Sequence, residues 1–154
     1  MMIHVSFYNV NRRLSLPSRH ARIWKAVKSY LELYPSLPMV AYGGESFTPP
    51  SDGMTPYLIV DDIRFDAVRL YSDAQENWQS GNLVINVMVP IMWSDLQSAE
   101  YAGAIADYFA QDAKMEYGGA SLMVSRQSTV SGAGYRDGDM FRIPVVVPWE
   151  GYGG

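Results

Sequence analysis

Two histidines, His4 and His20, are the side chains whose ordinary pKa lets them trade protons near neutral pH. Neither stands beside a second ligand at metal-binding spacing, and His20 opens a helical stretch. The carboxylates Asp61, Asp62 and Asp66 invite general acid and base chemistry. Residues four apart on a strand are separated by ~13 Å, however, and the adjacent pair points to opposite faces, so these groups read as a solvated strand face alternating with Arg64. Gly132 and Gly134 lack the third glycine and the strand-turn-helix setting of a phosphate cradle. Asp137-Gly138-Asp139 begins like a calcium loop but has no acidic ligand at the required downstream spacing, which leaves a turn. Ser46, Ser51, Ser121, Ser125 and Ser128 have no base that the sequence pairs with them. The chain has no Cys, which excludes disulfides, a thiol nucleophile and thiolate metal sites. Residue by residue, the reading is no catalytic, cofactor-binding or metal-binding constellation.

Composition narrows the class without naming an activity. A chain of 154 residues fits one domain. Its net charge of -4 and the lack of a long basic run argue against general nucleic-acid affinity. Arg12, Arg13, Arg19 and Arg22 form the densest basic group and read as a solvated face beside the first helix. Aromatics make up 13%, including 11 Tyr and 4 Trp, a surplus of the kind that interfaces use. No apolar run approaches the ~18 residues of a membrane span. At the N-terminus Ile3, Val5 and Phe7 alternate with His4, Ser6 and Tyr8, and the arginines follow them, which is not a signal-peptide pattern.

The elements that must position any site are organised around Pro56 to Pro90. Tyr57 to Ala67 and Leu83 to Val89 read as two antiparallel strands, the second with Leu83, Ile85, Val87 and Val89 on one face. Its other face, Asn82, Val84, Asn86 and Met88, is half apolar and is expected to meet a partner. A phase slip after Ala67 predicts a bulge or the end of pairing there, followed by an excursion holding Trp78. Residues 1–17 read as an arm with a short strand at Ile3 to Phe7. Ser18 caps a helix running to Leu33, with Ile23, Val27, Tyr30, Leu31 and Tyr34 at helical spacing and Pro35 as a stop. Pro38 to Tyr42 reads as a short strand and the next eleven residues as a loop.

Ser94 and Gln97 form a capping box, and Leu96, Ala99, Ala102, Ile105, Ala106, Phe109 and Ala113 continue a helix to about Tyr117, where Gly118-Gly119 ends it. Two strands close the chain, Ser121 to Thr129 and Met140 to Val147, with Ser131 to Gly138 as a protruding loop between them. Pro144 predicts an edge position for the last strand and Pro148 its end. The expected fold is α+β: a single domain at 18–150 with an antiparallel or mixed sheet and two helices packed on one face, between the arm and a flexible tail at 151–154.

The ordered set Ala21 to Val27, Val40-Ala41-Tyr42, Phe47-Thr48-Pro49-Pro50, Pro56 to Val60, Gly81 to Pro90, Ala102 to Phe109 and Arg136 to Pro148 resembles the tail terminator, or tail completion, proteins of long-tailed bacteriophages and related tail-like particles. The chain departs from that pattern at Ile91-Met92-Trp93-Ser94, where the family has a small turn containing glycine. The resemblance implies a homo-oligomer, a hexameric ring that caps the tail tube, stops its polymerisation and offers the surface that joins the head. The implied partners are the tail tube protein and a head completion or connector protein, with DNA only as passing cargo, no membrane and no cofactor. The implied location is the virion tail or neck, after assembly in the host cytoplasm. Candidate interface residues are Trp78, Tyr135, Arg136 and Asp137. The rival readings are another neck or tail-tube subunit, a monomeric binding module, and a small enzyme with a site built from scattered residues.

Overall fold

The computed structural model describes residues 18–43, 45–65, 78–131 and 134–152, the side chains of 61–65 excepted. The arm at 1–17, the stretch 66–77, and the carboxylate group with His4 and Gly132 lie outside what it describes.

Helix α1 (Arg19–Glu32) begins where Ser18 Oγ accepts from Ala21 N at 3.2 Å, relieving one of the free donors of the first turn. It buries Ile23, Ala26, Val27 and Leu31, spaced by three, one and four residues, as one stripe requires. Strands β1 (Met39–Tyr42), β2 (Tyr57–Phe65) and β3 (Trp78–Pro90) follow. β1 runs parallel to β2, and β2 antiparallel to β3. The β2 register moves by one between Val60 and Asp62. Leu58 and Val60 therefore stand opposite Val87 and Ile85, and Ile63 opposite Leu83. A bulge falls at Asp61, because a strand that switches from Leu-Ile-Val to Asp-Asp-Ile must skip one residue to keep its apolar set in phase, while the slip expected after Ala67 lies outside the described residues.

Helix α2 (Asp95–Tyr108) starts as anticipated, with Ser94 Oγ accepting from Gln97 N at 3.1 Å. It ends nine residues earlier than the sequence reading. Residues Lys114–Tyr117 form β4, which turns through Gly118 and Gly119 into β5 (Ala120–Val124). Both glycines have positive φ, 56° and 93°, which matches the right-handed twist of a two-residue hairpin. Leu96 and Ala99, counted above on the apolar stripe, are exposed, and the buried set is Ser98, Ala102, Ile105 and Ala106.

After β6 (Thr129–Val130) the expected loop is partly a strand, β7 (Tyr135–Asp137), which folds back on β8 (Met140–Tyr152) through Gly138. β8 is not an edge strand, and Pro148 does not end it. It pairs with β3 over thirteen residues, while its other side meets β7 at 140–142, β6 at 145–146 and β5 at 149–152. Pro144 and Pro148 sit at the two seams between these partners, where the missing N–H has no ladder bond to break. Their carbonyls are still used, accepting from Ser131 N at 2.7 Å and Ser125 N at 3.0 Å.

The result is a single α+β domain which, among the described residues, has two helices and an eight-stranded mixed sheet, of which β1-β2-β3-β8-β5-β4 is the main path. Flat, its outer strands would lie ~24 Å apart, five spacings of ~4.8 Å. Yet α1 touches both: Trp24 meets the Tyr42 ring edge-on at 6.1 Å, and Lys25 Nζ lies 5.3 Å over Tyr117. The sheet is therefore curled into a trough around α1. Both helices join one apolar cluster with Leu83, Ile85, Val87, Val89, Val145, Val147 and Trp149. Tyr30 and Tyr108 clasp the helices, each hydroxyl donating to the other residue's carbonyl with the rings stacked at 4.5 Å.

Candidate assembly interface

The β3–β8 ribbon separates the molecule into a core face and an outer face. On the outer side, register sets Ile59 opposite Asn86, Asn86 opposite Pro144, and Val84 opposite Val146. Ile59, Val84, Pro144 and Val146 keep partial exposure, so this face is half apolar, as the alternation in β3 implied. Among the described residues only one end is sealed: Tyr57, Met88 and Met140 form a second small cluster under Phe47, whose ring lies 5.6 Å from that of Tyr57. Burial raises the pKa of the Tyr57 hydroxyl, nearby Asp137 adds to the rise and Arg142 opposes it. The Phe47-Thr48-Pro49-Pro50 segment thus acts as a strap over the outer face, held extended by its prolines.

Beyond the strap, the turn from β3 into α2 exposes Ile91, Met92 (68%) and Leu96 (69%). Beside them opens a cleft of about 440 Å³ lined by Trp93, Ser98, Val130, Phe141 and Ile143 among others. Trp93 is held edge-on against Tyr101 at 5.4 Å, and burial pushes the Tyr101 hydroxyl up to about 12. Exposed large apolar groups beside a concave wall are the chemistry of protein contact. The sequence reading missed this patch. Its signal was the apolar pair Ile91-Met92 in a turn directly after Pro90, where a family-like small turn would have had nothing to bury.

The four candidate residues do not come together. Tyr135, Arg136 and Asp137 lie in β7 at one end of β8, where Asp137 Oδ2 accepts from Arg142 Nε (2.9 Å) and Nη2 (2.7 Å). Arg136 Nε donates to Gly138 O at 3.1 Å. Trp78 pairs with Tyr152, ten residues along β8 from the Arg142 that pairs with Tyr135, or ~33 Å of strand. They mark two separate aromatic exposures, Tyr135 at one end and Trp78 with Tyr152 at the other. Among the groups weighed for chemistry, Asp137 is a turn-bracing ion pair, and a Cβ on Gly134 would stand 2.7 Å from Arg142 O, so that glycine serves close packing on β8. Ser128 is buried and donates to Phe109 O at 2.8 Å, tying the β5–β6 connection to the end of α2.

The sheet also has two unequal edges. β4 carries Lys114 and Glu116 outward and lies against α1. β1 reads Met-Val-Ala-Tyr, with no charge, and among the described residues its far side has no strand partner. Charged edges resist pairing with another chain, and uncharged ones invite it.

Exposed apolar and aromatic side chains of this kind are what protein contacts are commonly made from. A family model for phage tail terminator proteins matches residues 22–149, and the chain belongs to that family. It is accordingly a structural component of a phage tail. A solved structure is similar in fold, with 19% identity and a TM-score of 0.59 over 86% of this chain and 92% of that one. No curated protein matches the sequence. Among the described residues no helix is long and apolar enough to cross a membrane.

Proposed function

We propose that this protein caps the growing end of the phage tail tube as a closed ring of six copies, stops polymerisation there and presents the surface that receives the head. The observation that carries the reading is the family match over 22–149, a span that takes in most of α1, all of α2 and nearly the whole sheet. A monomer of 17.2 kDa exposes ~7,800 Å² by the surface scaling law. Two ring contacts of ~800 Å² each would cover about a fifth of that. The half-apolar outer face, the Ile91-Met92-Leu96 patch and the aromatics Trp78 and Tyr135 supply distinct surfaces for neighbours in the ring, for the tube protein and for a head completion or connector protein. A net charge of -4 suits a channel through which DNA slides without sticking. Assembly in the host cytoplasm and residence in the tail or neck follow from that role.

Light scattering across a concentration series, with negative-stain images of the same fractions, tests the reading. Closed rings of about six copies are expected. Filaments would transfer the protein to the tube-subunit class. A species that stays monomeric is then added to purified, uncapped tubes in the presence of tube protein, where continued lengthening would overturn the capping role.

A further inference from the structure

We infer that the open edge of β1 is a strand-addition site, and that its occupant is the Ile3 to Phe7 segment of a neighbouring copy. The inference rests on the ring reading for the identity of the donor, and on the edge itself for the acceptor. Gly43 N donates to Val60 O at 2.9 Å, on the β2 side. Strand backbone groups alternate sides, so Val40 turns both its N–H and its C=O to the open edge. Backbone polar groups at an uncharged edge, with Met39 half exposed beside them, form a template for another strand.

The donor is written in the same chain. Ile3, Val5 and Phe7 alternate with His4, Ser6 and Tyr8, a pattern with one apolar face to lay beside the core-side residues Val40 and Tyr42. Ten residues, 8–17, connect it to Ser18 and span up to ~35 Å when extended, more than twice the ~15 Å radius of gyration expected for a chain this long. Within one chain, Trp24 and Lys28 already lie over the Tyr42 end of β1, between α1 and that edge. A neighbour approaches from outside the trough. Donor segment and acceptor edge are different patches of one subunit, so each copy gives to the next, which is the head-to-tail contact that a ring requires.

The absence of native Cys makes the test clean. Full-length Ser6→Cys and Ala41→Cys variants, whose side chains share the face opposite Val5 and Val40, are mixed, oxidised and resolved by mass, next to the double variant alone and to native mass measurements. A covalent dimer from the mixture and a covalent ladder from the double variant are expected. Val40→Pro, which deletes the outward N–H yet suits an edge position, is expected to lower the cross-linked fraction about tenfold while leaving the thermal unfolding transition cooperative. Native rings without the inter-chain link would overturn strand addition and leave the ring reading standing. A link found only within single chains would overturn donation between copies, and monomers without any inter-chain link would overturn both.

Discussion

The two faces of the β3–β8 ribbon are made by the same thirteen-residue pairing and have opposite fates. On the core face Leu83, Ile85, Val87, Val145, Val147 and Trp149 are fully buried. On the outer face, Val84 and Val146 stand opposite each other half-buried, and among the described residues only the Phe47 strap covers one end. Folding of the single chain accounts for the first face. Among the described residues, the second keeps apolar side chains in partial contact with solvent, the kind of surface that protein contacts use.

Substitution on each face should separate these roles. Trp149→Ala empties the largest buried side chain among the described residues and is expected to cost about 3–5 kcal/mol in urea unfolding, whereas Val146→Ser should cost under about 1 kcal/mol and act instead on the mass of the proposed ring. Equal costs would mean that the outer face is core as well. Ser128→Ala removes a buried donor and strands the Phe109 carbonyl, for an expected loss of about 1–2 kcal/mol by the same assay. Tyr42→Phe should go the other way and stabilise by up to about 1 kcal/mol, since its buried hydroxyl has no hydrogen-bond partner among the described residues.

The same tyrosine gives the fold an alkaline limit. Burial, with Glu32 and Glu45 adding, pushes the Tyr42 hydroxyl up to about 12 from 10.0, so the folded state holds the neutral form. The unfolded phenol ionises near 10, and stability present below that pH drains away as pH climbs toward 12. Melting temperatures from pH 9 to 12 should fall, and fall less in Tyr42→Phe; parallel curves would remove Tyr42 as a source of the loss.

Much of the architecture was legible in local pattern. Ser18 and Ser94 announced both helix starts because capping is a bond between near neighbours in sequence. The period of two in Leu83 to Val89 identified the core face for the same reason. What failed depended on distant partners. Pro144 read as an edge signal, since nothing local reveals that three strands share the far side of β8 and part company at that residue. The helix read through to Tyr117 because Ala113 continued its spacing, while the competing β4–β5 hairpin is specified by Gly118-Gly119 and by pairing with β8. Trp78 and Tyr135, named as candidate interface residues, are both exposed, but their separation along β8 is a tertiary fact that spacing in sequence does not contain.

The seams in β8 also set a timetable. Every other strand precedes β8 in the sequence, and four of them, β3, β5, β6 and β7, take their place by pairing with it. During synthesis the β2–β3 hairpin and the β4–β5 hairpin leave the ribosome as separate pieces, with the inner edge of β3 unpaired. Contacts between 78–90 and 140–152 are far apart in the chain, so closing the sheet is a late and slow step. The outer face of the β3–β8 ribbon is therefore complete only once translation has passed Tyr152, which delays until then any contact that face makes.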